Sequence, residues 1–364
     1  MTVAADPYLS VDADGVCNHC RRYDALQASR VFRGDAGRAA LASLVAQIKH
    51  AGKDSPYDCI IGVSGGVDST YVAYLVKTLG LRPLAVHFDN GWNSELAVKN
   101  IERILAKLGI DLYTYVVDWE EFRDLQIAFL RASTPDGEIP TDHAISALLW
   151  RQAATRGIRY IISGMNFTTE SIQVPHWAYG HSDWRYIKDV HSRFGTRPLK
   201  TYPHFSLPYL GYVNLIKRVR IVSILNYVEY HKEDAMRVLT DELGWQDYGG
   251  KHHESVYTRF YQGYFLPRKF GIDKRVGHFS DLINAGQLTR EQALEELAKP
   301  PYAVELQESD LIYVIKKLGL SKAGFDEIMT APRRSFRDYR NSFGVVASLK
   351  RLVNSLRRRN LYPR

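Results

Sequence analysis

The stretch Cys59-Ile60-Ile61-Gly62-Val63-Ser64-Gly65-Gly66-Val67-Asp68-Ser69-Thr70 joins a continuous apolar run to a polar turn that carries two glycines. An unbroken run of apolar side chains marks a strand buried on both faces, as in a parallel sheet. Tyr71, Val72, Leu75 and Leu79 follow at helical spacing. The turn therefore lies between the carboxyl end of a strand and a helix, where open α/β sheets bind ligands. Gly65 and Gly66 allow close backbone approach, so that consecutive N–H groups face one anion. Ser64, Ser69 and Thr70 add hydroxyl donors, and the helix adds its positive end. A phosphate chain suits such a turn; a plain strand–turn–helix connection is the simpler alternative. The chain has no G-x-x-x-x-G-K-[ST] loop and no G-x-G-x-x-G after a strand, so P-loop hydrolysis and dinucleotide oxidoreduction lose their main support.

The alternation continues outward. Residues 84–88, 113–117 and 160–163 read as further strands, and 39–50, 94–108, 119–131 and 142–155 as helices. The pattern predicts a doubly wound parallel α/β sheet. Beyond about residue 166 it changes. Residues 167–210 are rich in aromatics, His and Gly; 212–230, 231–243, 289–298, 308–318 and 343–359 read as helices. The expected divisions are an N-terminal segment with Cys17-Asn18-His19-Cys20 (1–38), a sheet domain (39–190) and a mostly helical substrate or partner region ending in a basic helix (191–364).

Composition narrows the class. At ~150 residues per domain, 364 residues make roughly two. With 45% hydrophobic and 24% charged residues and a mean hydropathy of −0.27, the chain reads as globular. No apolar run nears the ~18 residues of a membrane span, and no signal-like block follows Met1. The net charge of +8 is uneven: residues 333–364 hold ten Lys or Arg against Asp338 alone, a tail of +9, leaving about −1 for the rest. The charge belongs to an appendage and does not argue for a nucleic-acid partner. Three cysteines fit a reducing cytoplasm.

The loop Ser64–Thr70 resembles the pyrophosphate (PP) loop of the N-type ATP pyrophosphatases, which cleave ATP to AMP and pyrophosphate. The resemblance implies a five-stranded, doubly wound, HUP-like parallel sheet. More of the chain, from about residue 13 to 305, resembles the N-acetyl sugar amidotransferases of bacterial surface-polysaccharide (LPS O-antigen) biosynthesis. The matching pieces are Asp14-Gly15-Val16-Cys17-Asn18-His19-Cys20, His87-Phe88-Asp89-Asn90-Gly91-Trp92, Thr141-Asp142-His143-Ala144, Ser163-Gly164-Met165-Asn166, Tyr248-Gly249-Gly250-Lys251-His252-His253-Glu254-Ser255 and Asp273-Lys274-Arg275. The implied reaction turns the acetamido group of a nucleotide-linked sugar into an acetamidino group. It does so through an O-adenylated intermediate attacked by ammonia.

By this resemblance Ser64, Gly65, Gly66, Asp68, Ser69 and Thr70 hold the ATP phosphates. Val86, His87 and Phe88 lie along the adenine, and Ser163 and Gly164 border the ribose and α-phosphate. Asp68 either orients Mg²⁺ or caps its helix. Lys251, then Arg259, are candidates for the phosphate charge, with a solvated surface lysine as the alternative for Lys251. Asp142 is either an N-cap or a proton acceptor from ammonia. Asn166, Glu170, His252, His253 and Glu254 are candidates for ribose or sugar contacts, and Trp177 and Trp184 of the aromatic insertion for reading the sugar. Many family members carry a second Cys-x-x-Cys pair. Residues 1–16 have none, so Cys17 and Cys20 make half a zinc site or a pair of packing thiols. The chain has no evident glutaminase nucleophile, so the family pattern implies ammonia from a separate glutaminase with a cyclase-like subunit. A tRNA-modifying enzyme of the same superfamily, a thiolase or lysidine-type ligase, is the closest rival.

Overall fold

The computed structural model describes residues 1–3, 5–172, 174–250, 253–348 and 351. Its strands are β1 (Cys59–Gly62), β2 (Pro83–Asp89), β3 (Asp111–Val116), β4 (Tyr160–Ser163) and β5 (Arg220–Ser223). They form one sheet in the order β3-β2-β1-β4-β5. Every neighbouring pair is parallel. Helices α1 (Asn18–Arg30) and α2 (Gly34–Ala51) precede β1; α3 (Val67–Thr78) and α4 (Glu95–Leu108) follow β1 and β2. Between β3 and β4 lie α5 (Trp119–Ala132) and α6 (Ile139–Arg156), and between β4 and β5 lie α7 (Phe167–Glu170), α8 (Trp184–Phe194) and α9 (Leu207–Gly211). After β5 come α10 (Lys232–Leu243), α11 (Val256–Phe260), α12 (Leu266–Phe270), α13 (Arg275–Asn284), α14 (Arg290–Ala298), α15 (Val304–Leu318) and α16 (Lys322–Thr330).

The strand runs are apolar on both faces because each face has its own helical layer. Ile60, Leu84, Val86, Phe88 and Ile161 pack with Phe122, Leu125 and Phe129 of α5 and Leu148 of α6. Cys59, Ile61, Val63, Ala85 and Ile162 pack on the opposite side with Val72 and Val76 of α3, Ile104 of α4 and Leu239 of α10. Each such aliphatic or aromatic burial contributes roughly 1.5–3 kcal/mol, so the central strands are the firmest part of the chain. Tyr257, Phe260, Phe265, Val314, Leu318 and Phe325 join the first of these cores. The C-terminal helices are therefore continuous with the sheet's packing. Lys274 of the Asp-Lys-Arg motif ties them further, its Nζ lying 2.6 Å from Glu138 Oε2 just before α6.

One expected element is replaced. Residues 212–230, read as a helix, divide into a π-helical turn (Tyr212–Ile216), β5 and a 3-10 turn (Ile224–Tyr227). Arg218 takes φ 56°, which stops the helix, and Val219-Arg220-Ile221-Val222 then favours an extended chain. The fifth strand thus comes from residues 220–223, pairing Ile161 with Ile221 and Ser163 with Ser223. Most of the expected basic helix 343–359 lies outside the described residues; 343–348 are helical. No helix among the described residues is long and apolar enough to cross a membrane.

Candidate active site

The chain leaves β1 toward β2 and β3 on one side and returns to β4 on the other, so the strand order reverses between β1 and β4. A crevice opens at the carboxyl ends of two strands where their connections part in this way. The loop 64–66 and the start of α3 lie at that point. Gly65 has φ +80°, and a Cβ there would stand 2.6 Å from Ala97 O in α4. Gly164, after β4, crosses so close that a Cβ would lie 3.2 Å from the Asp68 carbonyl carbon and 3.3 Å from Ser69 N. The two ends of the crevice therefore meet backbone to backbone. Inside the loop, Ser64 N donates to Ser69 Oγ (3.2 Å), Gly66 N to Ser64 Oγ (3.3 Å), and Ser69 Oγ to Gly66 O (3.1 Å). These bonds shape a tight turn without using a charged side chain.

Three aromatic residues outside the loop hold it. Trp245 Nε1 donates to Gly65 O (3.1 Å), Val67 N donates to Tyr248 Oη (3.2 Å), and Tyr230 Oη donates to Asp68 Oδ1. Burial, then the Asp68 carboxylate, pushes the Tyr230 phenol well up, so it remains a donor to Asp68. Tyr248 is pushed up likewise, by burial first and then Glu254. Residues 254–256 lie across the chain that leaves β2. Ser94 N donates to Glu254 O (2.8 Å), Val256 N to Trp92 O (2.9 Å), and Asn93 and Ser255 form an antiparallel bridge. A Cβ on Gly66 would lie 3.4 Å from both Glu254 Oε1 and Tyr248 Oη. Tyr248 and Glu254 therefore stand against the loop. Lys251 and His252 lie outside the described residues. His253 is half-buried beside Tyr302, and burial and Arg259 lower its pKa. Arg259 makes a two-pronged bond to Asp310 of α15 (2.8 and 2.7 Å) and serves the packing of α11 on α15.

The remaining candidates line the same rim or leave it. Val86, His87 and Phe88 are buried side chains, so β2 presents only backbone to a ligand. His87 Nδ1 lies 2.9 Å from Val63 O and Nε2 3.1 Å from Asn93 Nδ2, tying β1 to the segment that receives Ser255. Ser163 Oγ accepts from Met165 N (3.1 Å). Asn166 caps α7, accepting from Thr169 N (2.9 Å), and its Nδ2 is buried with no hydrogen-bond partner among the described residues. Glu170 is among the carboxylates that raise Tyr230, which puts it near Asp68. Asp142 is exposed in the first turn of α6, joined to the end of β2 through Asn90 Nδ2 and Thr141 Oγ1 (3.4 Å).

The N-terminal thiols stand apart from this rim. Cys17 and Cys20 have their Sγ atoms 3.4 Å apart, with Cys20 pushed up to about 11 by burial and by Cys17. His19 turns away to Asp6 (2.7 Å), and among the described residues no three His, Cys, Asp or Glu side chains form a metal-holding group. Trp177, expected to read a sugar, is instead a core residue whose Nε1 donates to Ala5 O (2.9 Å).

Residues 254–353 match the family profile described as LPS biosynthesis protein WbpG-like, C-terminal domain. The sheet is five-stranded and every neighbouring pair is parallel, as the resemblance of the loop implied. Among curated proteins, an uncharacterized protein of Methanocaldococcus jannaschii is 26% identical over 269 residues, covering 71% of this chain and 78% of its own. A tRNA(Ile)-lysidine synthase of Chlamydia pneumoniae is 37% identical over 67 residues, 18% of this chain and 21% of that protein. Among solved structures, NMN synthetase from Francisella tularensis aligns over 79% of this chain and 98% of its own, at 14% identity and a TM-score of 0.38. Of the three aromatic anchors of the loop 64–70, Tyr248 stands in a recognisable motif. Tyr230 and Trp245 carry no local signal, because they reach the loop only through the packing of α10 on α3.

Proposed function

We propose that the protein is an ATP-dependent amidotransferase that converts the acetamido group of a nucleotide-linked sugar into an acetamidino group, in LPS O-antigen biosynthesis. The observation that carries this reading is the meeting of two motifs: the loop 64–70 at the β1/β4 crevice, which resembles a PP-loop, and Tyr248 and Glu254, which stand against it at the entry to the WbpG-like region.

An amide carbonyl is a poor electrophile, and its oxygen must become a leaving group before a nitrogen can enter. Attack of that oxygen on the ATP α-phosphorus forms the O–P bond and breaks the bond to the departing pyrophosphate. Ammonia then adds to the imidate carbon, a proton leaves the nitrogen, and AMP departs with the amide oxygen. Positioning and charge stabilisation supply most of the rate in such transfers. The loop's N–H groups and hydroxyls cradle the phosphates, while Tyr230 fixes the Asp68 carboxylate. Asp68 with Ser64, Ser69 and Thr70 is a set of hard oxygen donors that suits Mg²⁺, which would supply charge neutralisation at the phosphates. Lys251 is assigned to the developing phosphate charge, and Asp142 to the proton that leaves ammonia.

Cys59 lies inside β1 with its thiol pushed up to about 12 by burial, so it does not serve as a glutaminase nucleophile. We assign ammonia supply to a separate glutaminase and cyclase-like subunit. A second reading, tRNA modification, draws on the 67-residue likeness to the lysidine synthase. The test is pyrophosphate release from ATP with UDP-N-acetyl sugars plus ammonium, set against bulk tRNA. Sugar-dependent release is expected; release that needs tRNA and ignores sugars overturns the reading.

A further inference from the structure

A cavity of about 480 Å³ opens between α8, the start of α9 and residues 340–342. Its size is that of a small-molecule site. Its charge is decided by which groups are already used. Asp183 is buried and accepts from Tyr179 Oη (2.6 Å), Arg185 N (3.0 Å) and Ser342 Oγ (3.0 Å). Asp189 takes Arg193 Nη2 (2.7 Å) and the backbone N of Arg340 (3.0 Å). Asp189 is thus ion-paired, and Asp183 is buried and held by neutral hydrogen-bond donors. Arg185 and Lys188, three apart on α8, have no acid partner among the described residues and are exposed. Ser206 Oγ accepts from Tyr209 N (3.4 Å), which leaves its hydroxyl proton for a ligand. Trp184 supplies an apolar wall, held in place against His204 at 4.2 Å.

Side-chain contacts link the Trp184 wall of the cavity to the carboxyl end of β2. Asn90, at the end of β2, binds Thr141 in the first turn of α6; His143, in the next positions, stacks on Phe205 at 4.3 Å and faces Trp184 at 5.7 Å. Side chains three apart on a helix are neighbours, so both cations can reach the oxygens of one diphosphate. A guanidinium and an ammonium side by side favour such a group strongly. We propose that this cavity binds the nucleoside-diphosphate arm of the sugar substrate, with Arg185 and Lys188 on the phosphates, while the acetamido end reaches the PP-loop. The inference rests on the amidotransferase reading for the identity of the ligand, but the anion site stands on its own geometry.

The test uses the full chain and UDP, GDP and dTDP as probes, with binding measured by titration calorimetry. A Arg185→Ala/Lys188→Ala double variant removes exposed side chains, and its thermal midpoint checks that the fold is kept. At least one probe is expected to bind the wild type, and the variant to lose about tenfold or more of that affinity, with the ATP KM unchanged and Lys188→Arg restoring part of the loss. Absence of binding by every probe overturns the proposal, as does equal affinity in the variant. If diphosphate binding depends on Arg185 and Lys188 while no sugar drives pyrophosphate release, the cavity stands and the amidotransferase reading falls. If sugars drive release but the variant keeps the wild-type sugar KM, the reading stands and the cavity assignment falls.

Discussion

His143 donates from Nδ1 to His181 O (2.6 Å) and accepts at Nε2 from Phe205 N (3.2 Å), an arrangement available only to the neutral ring. Burial, with the nearby His181 and His204, pushes its pKa down to about 4 from 6.5. The unfolded chain therefore binds the extra proton between these values, so stability is fully present above pH 6.5 and is lost as pH falls toward 4. The shift corresponds to about 3 kcal/mol at most. His143→Asn, which keeps a donor toward His181, is expected to flatten the pH dependence of the urea midpoint over that range; an unchanged slope counts against the assignment. Gly65 is the second decisive residue. Its φ of +80° and the 2.6 Å approach to Ala97 O leave no room for a side chain. Gly65→Ala should cost ~2 kcal/mol or more in thermal or urea unfolding and abolish pyrophosphate release. A fully active, equally stable variant would contradict the loop geometry.

Among the elements, the stretch 245–248 acts on the loop 64–70 from outside it, through two contacts of opposite consequence. Trp245 holds the Gly65 carbonyl and so preserves the turn, whereas the Tyr248 hydroxyl occupies Val67 N, a donor that phosphate would use. Trp245→Phe is expected to raise the ATP KM, and Tyr248→Phe to lower it, since losing one neutral hydrogen bond costs only about 1 kcal/mol of stability. Steady-state kinetics in ATP decide this; equal shifts in the same direction would show that both are only props. Chain signals explain what was readable here. The runs at 59–63, 84–88 and 160–163 are buried on both faces and read as strands directly. β5 was masked because it is an edge strand: Arg220 and Ile221 are exposed, so no buried run announces it. Likewise the loop was legible from its own residues, while Tyr230 and Trp245 serve it only through tertiary packing.

For the whole molecule, the two-sided core is the governing feature. The strand side chains and the apolar side chains of α11, α12, α15 and α16 share one buried cluster, and Lys274 bonds Glu138 between them. The sheet and the WbpG-like region should therefore unfold together. Differential scanning calorimetry is expected to give one transition, and two separated transitions would mean that the C-terminal helices fold on their own. The same unity carries the chemistry, because the sheet contributes the loop and the later chain contributes the segment that closes on it. The claim at the centre is that the acetamido oxygen is adenylated before nitrogen enters. Supplying a nucleotide-linked N-acetyl sugar labelled with ¹⁸O in the acetamido carbonyl, with ATP and ammonium, tests it by mass spectrometry of the products. The label is expected in the phosphate of AMP; label retained in the sugar product or appearing in pyrophosphate would contradict adenylation of that oxygen.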